Sequence, residues 1–147
     1  MFQLIYSSRG SKPYSAGELR KLLAISRRNN LRVDVTGMLL YHEGTFLQVL
    51  EGEEQDVIKV FERIQQDERH EEILLLQRKE IEERSFDGWE MGFCDTADEL
   101  VRRDFPGFTA FLNAAFDDNF LRDGDAAREV LVKFKHGAWH REAASAD

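Results

Sequence analysis

Two polar side chains sit where the apolar pattern has no room for them. Gln48 has Phe46 and Leu50 two residues away, on its own face of a strand-like run, while Leu47 and Val49 take the other face. Whichever face is buried, the amide lies among apolar neighbours. A buried amide left without partners costs about 1–3 kcal/mol, so something polar must meet it. Tyr6 has the same character, since it shares its face with Phe2 and Leu4. An amide both donates and accepts hydrogen bonds, and a buried phenol hydroxyl also needs a partner. The two could satisfy each other. Pattern alone favours a structural hydrogen bond inside a core, because buried polar groups are usually just satisfied ones.

Other candidates carry bland readings of their own. Asn29-Asn30 follows an apolar helical stripe and suits a helix end, where Asn tolerates the left-handed conformation. Arg69-His70 follows a second helical stripe, and cations suit helix C-termini. Trp89 and Met91 alternate with Phe93, a pattern more often core than cofactor contact. His42 falls at a turn, where solvation is the ordinary expectation.

The elements that must position these residues follow from periodicity. Phe2, Leu4 and Tyr6 mark a first strand over residues 2–8, broken between Gly10 and Pro13. Ser15-Ala16-Gly17-Glu18 has the spacing of a capping box, and Leu19, Leu22 and Leu23 carry the helix to about Arg28, with Asn29-Asn30 ending it. The runs 36–41 and 45–51 flank His42-Glu43-Gly44 and predict a hairpin. Glu53, Glu54 and Asp56 open a second helix carried by Val57, Val60, Phe61 and Ile64. Ile73 to Gln77 predicts a buried strand, and Trp89, Met91 and Phe93 a fifth strand. This order is α+β, the ferredoxin-like βαββαβ arrangement with a strand added. Right-handed crossovers place both helices on one sheet face and make the first and third strands neighbours, which brings Tyr6 to Gln48. Phe105, Phe108, Phe111, Leu112 and Phe116, then Val130, Leu131 and Phe134, predict one or two helices over 97–137 covering the other face. Residues 143–147 read as a frayed end.

Composition narrows the classes. A 147-residue chain with 42% hydrophobic and 11% aromatic residues can build one folded domain. A net charge of −8 argues against unaided binding to nucleic acid or an anionic membrane. Cys94 is the single cysteine, so no internal disulfide can form and a structural zinc cluster is not expected. No apolar run approaches a membrane span, and the N-terminus lacks a secretory signal. A cytoplasmic protein is the expectation.

Taken together, the segments resemble the BLUF family, the sensors of blue light using FAD. The resemblance is carried by Leu4-Ile5-Tyr6-Ser7-Ser8, by Asn29 to Arg32 with Val35 to Tyr41, by Gly44 to Gly52, by Asp67 to His70 and by Phe86 to Met91. It covers about residues 2–95 in order, and the block from Asn30 to Gly52 is its most specific part. It implies a flavin lying between the two helices, with FAD as the cofactor and FMN or riboflavin also admissible. It implies photochemical roles for Tyr6 and Gln48, and cofactor contacts from Asn29, Asn30, Arg69, His70 and, more weakly, Arg32. Trp89 and Met91 would relay the signal. It further implies a photosensor over 1–95, a helical extension for output or oligomerisation over 96–140 and a tail over 141–147. Such a short receptor would switch a contact with an effector protein in trans or within a homo-oligomer. A small flavin-dependent oxidoreductase, or a regulatory domain without chromophore, is the alternative. No Gly-rich phosphate loop or nucleophile–base pair favours an enzyme, and about 50 residues after Cys94 leave no room for a cyclase or phosphodiesterase domain.

Overall fold

The structure, a computed structural model, describes residues 1–89, 91–95 and 124–135. Its elements are β1 (Phe2–Gly10), α1 (Ala16–Arg32), β2 (Thr36–His42), β3 (Thr45–Gly52), α2 (Glu54–Gln65), β4 (His70–Glu80), β5 (Gly92–Asp95) and α3 (Gly124–Lys135). The five strands form one sheet in the order β4-β1-β3-β2-β5, antiparallel except for the β2–β5 pair. This is the expected ferredoxin-like α+β sheet with its added strand.

Local chemistry explains the first half. The Ser15 hydroxyl accepts from the Glu18 amide and the Glu18 carboxylate accepts from the Ser15 amide, the reciprocal pair that starts α1. Glu43 and Gly44 both have positive φ, which matches the twist of a two-residue hairpin between β2 and β3. At Gly37 a side chain is excluded, because a Cβ there would lie 1.9 Å from the Val49 carbonyl oxygen.

Both α1 and α2 pack on one face of the sheet. Leu19, Leu22 and Leu23 of α1 join Val57 and Phe61 of α2 in a core with Leu4, Tyr6, Leu39, Phe46 and Leu50. The opposite face carries Ile5, Met38, Leu40, Leu47 and Val49, and Ala127 and Leu131 of α3 are fully buried. The expected Phe-rich helix over Phe105–Phe116 lies outside the described residues.

Three expectations change. First, α1 runs through Asn29-Asn30 to Arg32. Its end is a Schellman turn in which Val35 N–H donates to the Asn30 carbonyl (3.0 Å) and Asp34 N–H to that of Leu31 (3.4 Å), with Asp34 at φ 53°. Asp34 therefore takes the left-handed position that Asn29-Asn30 were expected to fill. Second, β4 is an edge strand, and Leu74 and Leu75 are each 41% exposed. Its apolar run predicted a buried strand, but it lies at the edge of the sheet, paired to β1 alone. Third, β5 begins at Gly92, after Trp89 and Met91, which lie in its lead-in. The Trp89 carbonyl nevertheless accepts from Gly37 N–H (2.8 Å), so the β2 edge already holds the chain there.

Candidate functional site

The two helices present matched stripes to each other. On α1 the stripe is Leu22, Ile25, Ser26, Asn29 and Asn30; on α2 and the turn after it, Val60, Arg63, Ile64 and Asp67. Both follow the i, i+3, i+4, i+7 spacing of one helical face. Between them, with Tyr6, Leu39, Gln48, Arg69 and His70, lies a cavity of about 210 Å³. Its lining includes apolar side chains from both helices, the amides of Asn29 and Asn30 on α1 and of Gln48 at the base, and two guanidinium-bearing residues, Arg63 and Arg69.

The base is built by strand register. Tyr6 of β1 lies directly opposite Gln48 of β3, and Gln48 lies opposite Leu39 of β2. Facing residues of an antiparallel pair share a sheet face, so the two side chains must meet. The Tyr6 hydroxyl donates to Gln48 Oε1. Gln48 Nε2 donates to the Met91 sulfur at 3.2 Å, a weak acceptor. Burial pushes the Tyr6 phenol far above its ordinary pKa range, and the negative charge of Asp67 adds to the effect. Tyr6 is therefore a neutral donor at any physiological pH. Phe61 packs 5.4 Å from its ring.

Asn30 is 2% exposed and lines the cavity from α1, with Asn29 beside it. The Asn30 carbonyl accepts from Val33 and Val35 N–H at the helix end, and the residue also lines the cavity. Arg32 does not line the cavity. It is exposed in the last helical turn, about 200° around the axis from Asn30.

A tight turn positions the opposite wall. The Asp67 carboxylate accepts from the Arg69 amide (3.0 Å), and the Asp67 carbonyl from the His70 amide (3.1 Å). The same carboxylate receives the Arg69 guanidinium at 2.6 and 2.9 Å, which holds its pKa below the usual carboxylate value. Arg69 and His70 thus belong to the turn and to the first residue of β4, rather than to the end of α2. His70 Nδ1 bonds the Ser8 hydroxyl at 2.7 Å, and its ring packs 4.8 Å from Phe46 and 6.3 Å from Tyr6. His42 is buried at the end of β2 rather than solvated in the turn, which Glu43 and Gly44 make.

Burial lowers the His70 pKa below its ordinary 6.5; Asp67 opposes this and Arg69 reinforces it. The unfolded chain then binds the proton more readily than the folded one. Stability from this group is complete above about pH 6.5 and declines as pH falls toward the lower folded value. Thermal unfolding should therefore occur at lower temperature at pH 5.5 than at pH 7.5, and His70→Gln should reduce that difference. An unchanged difference would show that His70 does not titrate on unfolding.

Trp89 and Met91 part company. Met91 is 1% exposed and touches Gln48, whereas Trp89 is half-buried with its ring over Gly92, where a Cβ would come within 2.2 Å of it. The backbone of Met91 is held from α1, since Arg27 Nε donates to its carbonyl at 3.0 Å. Arg27, Arg63 and Ser26 were not among the expected site residues. Arg63 and Ser26 each stand on a helical stripe beside apolar residues, Ile64 and Ile25, which is a signal in the sequence; Arg27 has no such signature.

The lining fits a flat aromatic heterocycle with a polar edge and an anionic tail. Leu22, Ile25, Val60 and Ile64 offer apolar walls, the Asn30 and Gln48 amides can bond ring heteroatoms, and Arg63 and Arg69 suit phosphate.

Comparison with known proteins agrees. The family model for sensors of blue-light using FAD matches residues 1–92. The photoactivated adenylate cyclase subunit beta of Euglena longa is 32% identical over 83 residues, 56% of this chain and 10% of that protein. The blue light- and temperature-regulated antirepressor BluF of Escherichia coli (strain K12) is 30% identical over 123 residues, 81% of this chain and 30% of that protein. The chain thus spans about a tenth of the cyclase relative and under a third of the antirepressor. The solved ground state of BlsA covers 99% of this chain and 89% of its own, at TM-score 0.71 and 27% identity. A family match over more than half the chain, on a fold of the matching kind, places this protein in the BLUF family, the sensors of blue light using FAD.

Proposed function

We propose that the protein is a blue-light receptor that holds FAD non-covalently between α1 and α2 and switches through Tyr6 and Gln48. The observation that carries this is the chain of hydrogen bonds at the cavity base, Tyr6 to Gln48 and Gln48 to the Met91 sulfur. When bound, the flavin supplies an oxidant that blue light switches on. Tyr6 is buried beside the cavity as a neutral phenol and can release one electron and its phenolic proton, then recover both. While its O–H bond is open, Gln48 has lost the donor that fixes its amide. Its other anchor is a sulfur, which holds an N–H weakly. The amide is then free to rearrange, as rotamer, tautomer or both, and to direct a stronger hydrogen bond at the ligand edge. Nothing is consumed, so the site is a switch and not a catalyst.

Asn30 binds the polar edge of the ring in this reading, with Asn29, Arg69 and His70 along its outer portion. Asn30→Ala should remove one or two hydrogen bonds, about 1–2 kcal/mol, and raise the Kd for FAD roughly 5- to 30-fold. Equilibrium titration of flavin fluorescence reads this, and unchanged loading and spectrum would remove Asn30 from the contact.

The switch itself is tested by Gln48→Leu loaded with FAD. The variant should bind flavin and show no native-like absorption shift under blue light. A normal shift would overturn the assignment. The output is proposed to be an altered contact with an effector protein in trans or with a second copy of the chain. Two related proteins carry adenylate cyclase or antirepressor in their names, and each activity is that protein's own.

A further inference from the structure

One buried charge has no part in the flavin site. Glu51 is 0% exposed and, among the described residues, is the one carboxylate that is buried. It lies on the sheet face away from α1 and α2, opposite Gln3 of β1. A carboxylate in such a place needs donors for both oxygens. Gln3 Nε2 donates to Oε2 at 2.8 Å, and Gln3 is in turn braced by Gln77 Nε2 at 2.9 Å. The other donors are backbone amides of the segment that leads to the switch: Phe86 N–H to Oε1 at 2.8 Å and Ser85 N–H to Oε2 at 3.1 Å.

That segment is fixed at each end. Arg84 reaches back to Thr36 Oγ1 (2.8 Å), the Glu51 carbonyl (3.1 Å) and the Asp34 carbonyl (2.8 Å). Trp89 N–H donates to the Phe86 carbonyl at 3.1 Å, and the chain then delivers Met91 to Gln48. Ser85 also faces the other way: Arg128 of α3 donates to its hydroxyl at 3.0 Å. Ser85 therefore joins Glu51, through its backbone, to α3, through its side chain.

We propose that Glu51 is a positioning residue: its carboxylate clamps the segment carrying Met91 to the far face of the sheet, and through Ser85 ties that segment to α3, so that a change at Gln48 reaches α3 only while the clamp is closed. This rests on the light-switch reading of Tyr6 and Gln48 but concerns transmission rather than photochemistry. Glu51→Gln keeps the shape and replaces an acceptor oxygen with a donor nitrogen that would face an amide donor. Ser85→Ala keeps the clamp and removes the acceptor for Arg128.

The test is hydrogen exchange of α3 in the FAD-loaded protein, dark against blue light, with absorption recorded on the same samples. The wild type should show the red shift together with a light-dependent change of exchange in α3. Both variants should keep the red shift and lose the light–dark difference in α3. A red shift in the wild type with no change in α3, or variants whose α3 responds as in the wild type, would overturn the clamp while leaving the switch intact. If Glu51→Gln fails to fold, Ser85→Ala alone carries the same two outcomes. A wild type that binds FAD and shows no red shift would overturn the switch reading, and the clamp with it.

Discussion

Tyr6→Phe should bind FAD, stay yellow and lose its response to blue light altogether. The phenyl ring keeps the contacts of Tyr6 with Phe61 and the surrounding core and deletes only the hydroxyl. With it go the transferable proton and the bond that orients Gln48. The fold should survive. Gln48 Oε1 is left with one donor fewer in a buried place, a cost of about 1–3 kcal/mol. Flavin loading should change little, because the amide edge of Gln48 and the walls formed by Leu22, Ile25, Val60 and Ile64 are retained. Absorption before and after illumination decides the matter, with a thermal melt as control. A normal reversible shift in the variant would remove Tyr6 from the switch.

The second large effect is on stability. Gly37→Ala should destabilise the fold by about 3 kcal/mol or more, the upper end for overpacking. The added methyl would lie 1.9 Å from the Val49 carbonyl oxygen and 2.9 Å from its carbon. Both are backbone atoms of β3, so no side chain can swing away to make room. The strand that must shift also carries Gln48, and Gly37 N–H holds the Trp89 carbonyl on the other side. For a domain of this size each kcal/mol lowers Tm by about 2–4 °C, so a fall of roughly 6–12 °C is expected. Gly17→Ala is the matched control. It sits in α1 with only Ser15 Oγ near, at 3.9 Å, and alanine there should be neutral or mildly stabilising. Equal melts for the two variants would contradict the packing argument.

What could be read in advance was local or set by topology. The capping box at Ser15–Glu18, the hairpin around Glu43-Gly44 and the pairing of Tyr6 with Gln48 depend on short spacings or on strand order. Residues whose role is decided by a distant partner were not legible. Asn29-Asn30 looked like a helix end until Asp34, bonded by Arg84, took that position. The apolar run of β4 looked buried, although the same strand order that joins β1 to β3 leaves β4 on an edge. Arg32 was a weaker candidate implied by the resemblance; it is exposed and outside the cavity lining, because helical phase turns it away from Asn30. Glu51 read as one more residue of a strand, because its donors are main-chain amides more than thirty positions later. Main-chain donors leave no trace in the identity of a side chain.

On the proposed function, the cavity between α1 and α2 holds a flavin whose surroundings are switched by light. The most direct measurement is the absorption spectrum of the protein, purified in dim light and loaded with FAD, recorded before and after a blue pulse and again in the dark. The flavin spectrum should move to the red on illumination and return in darkness. A protein that takes up no FAD, or a bound flavin whose spectrum does not move, would contradict it.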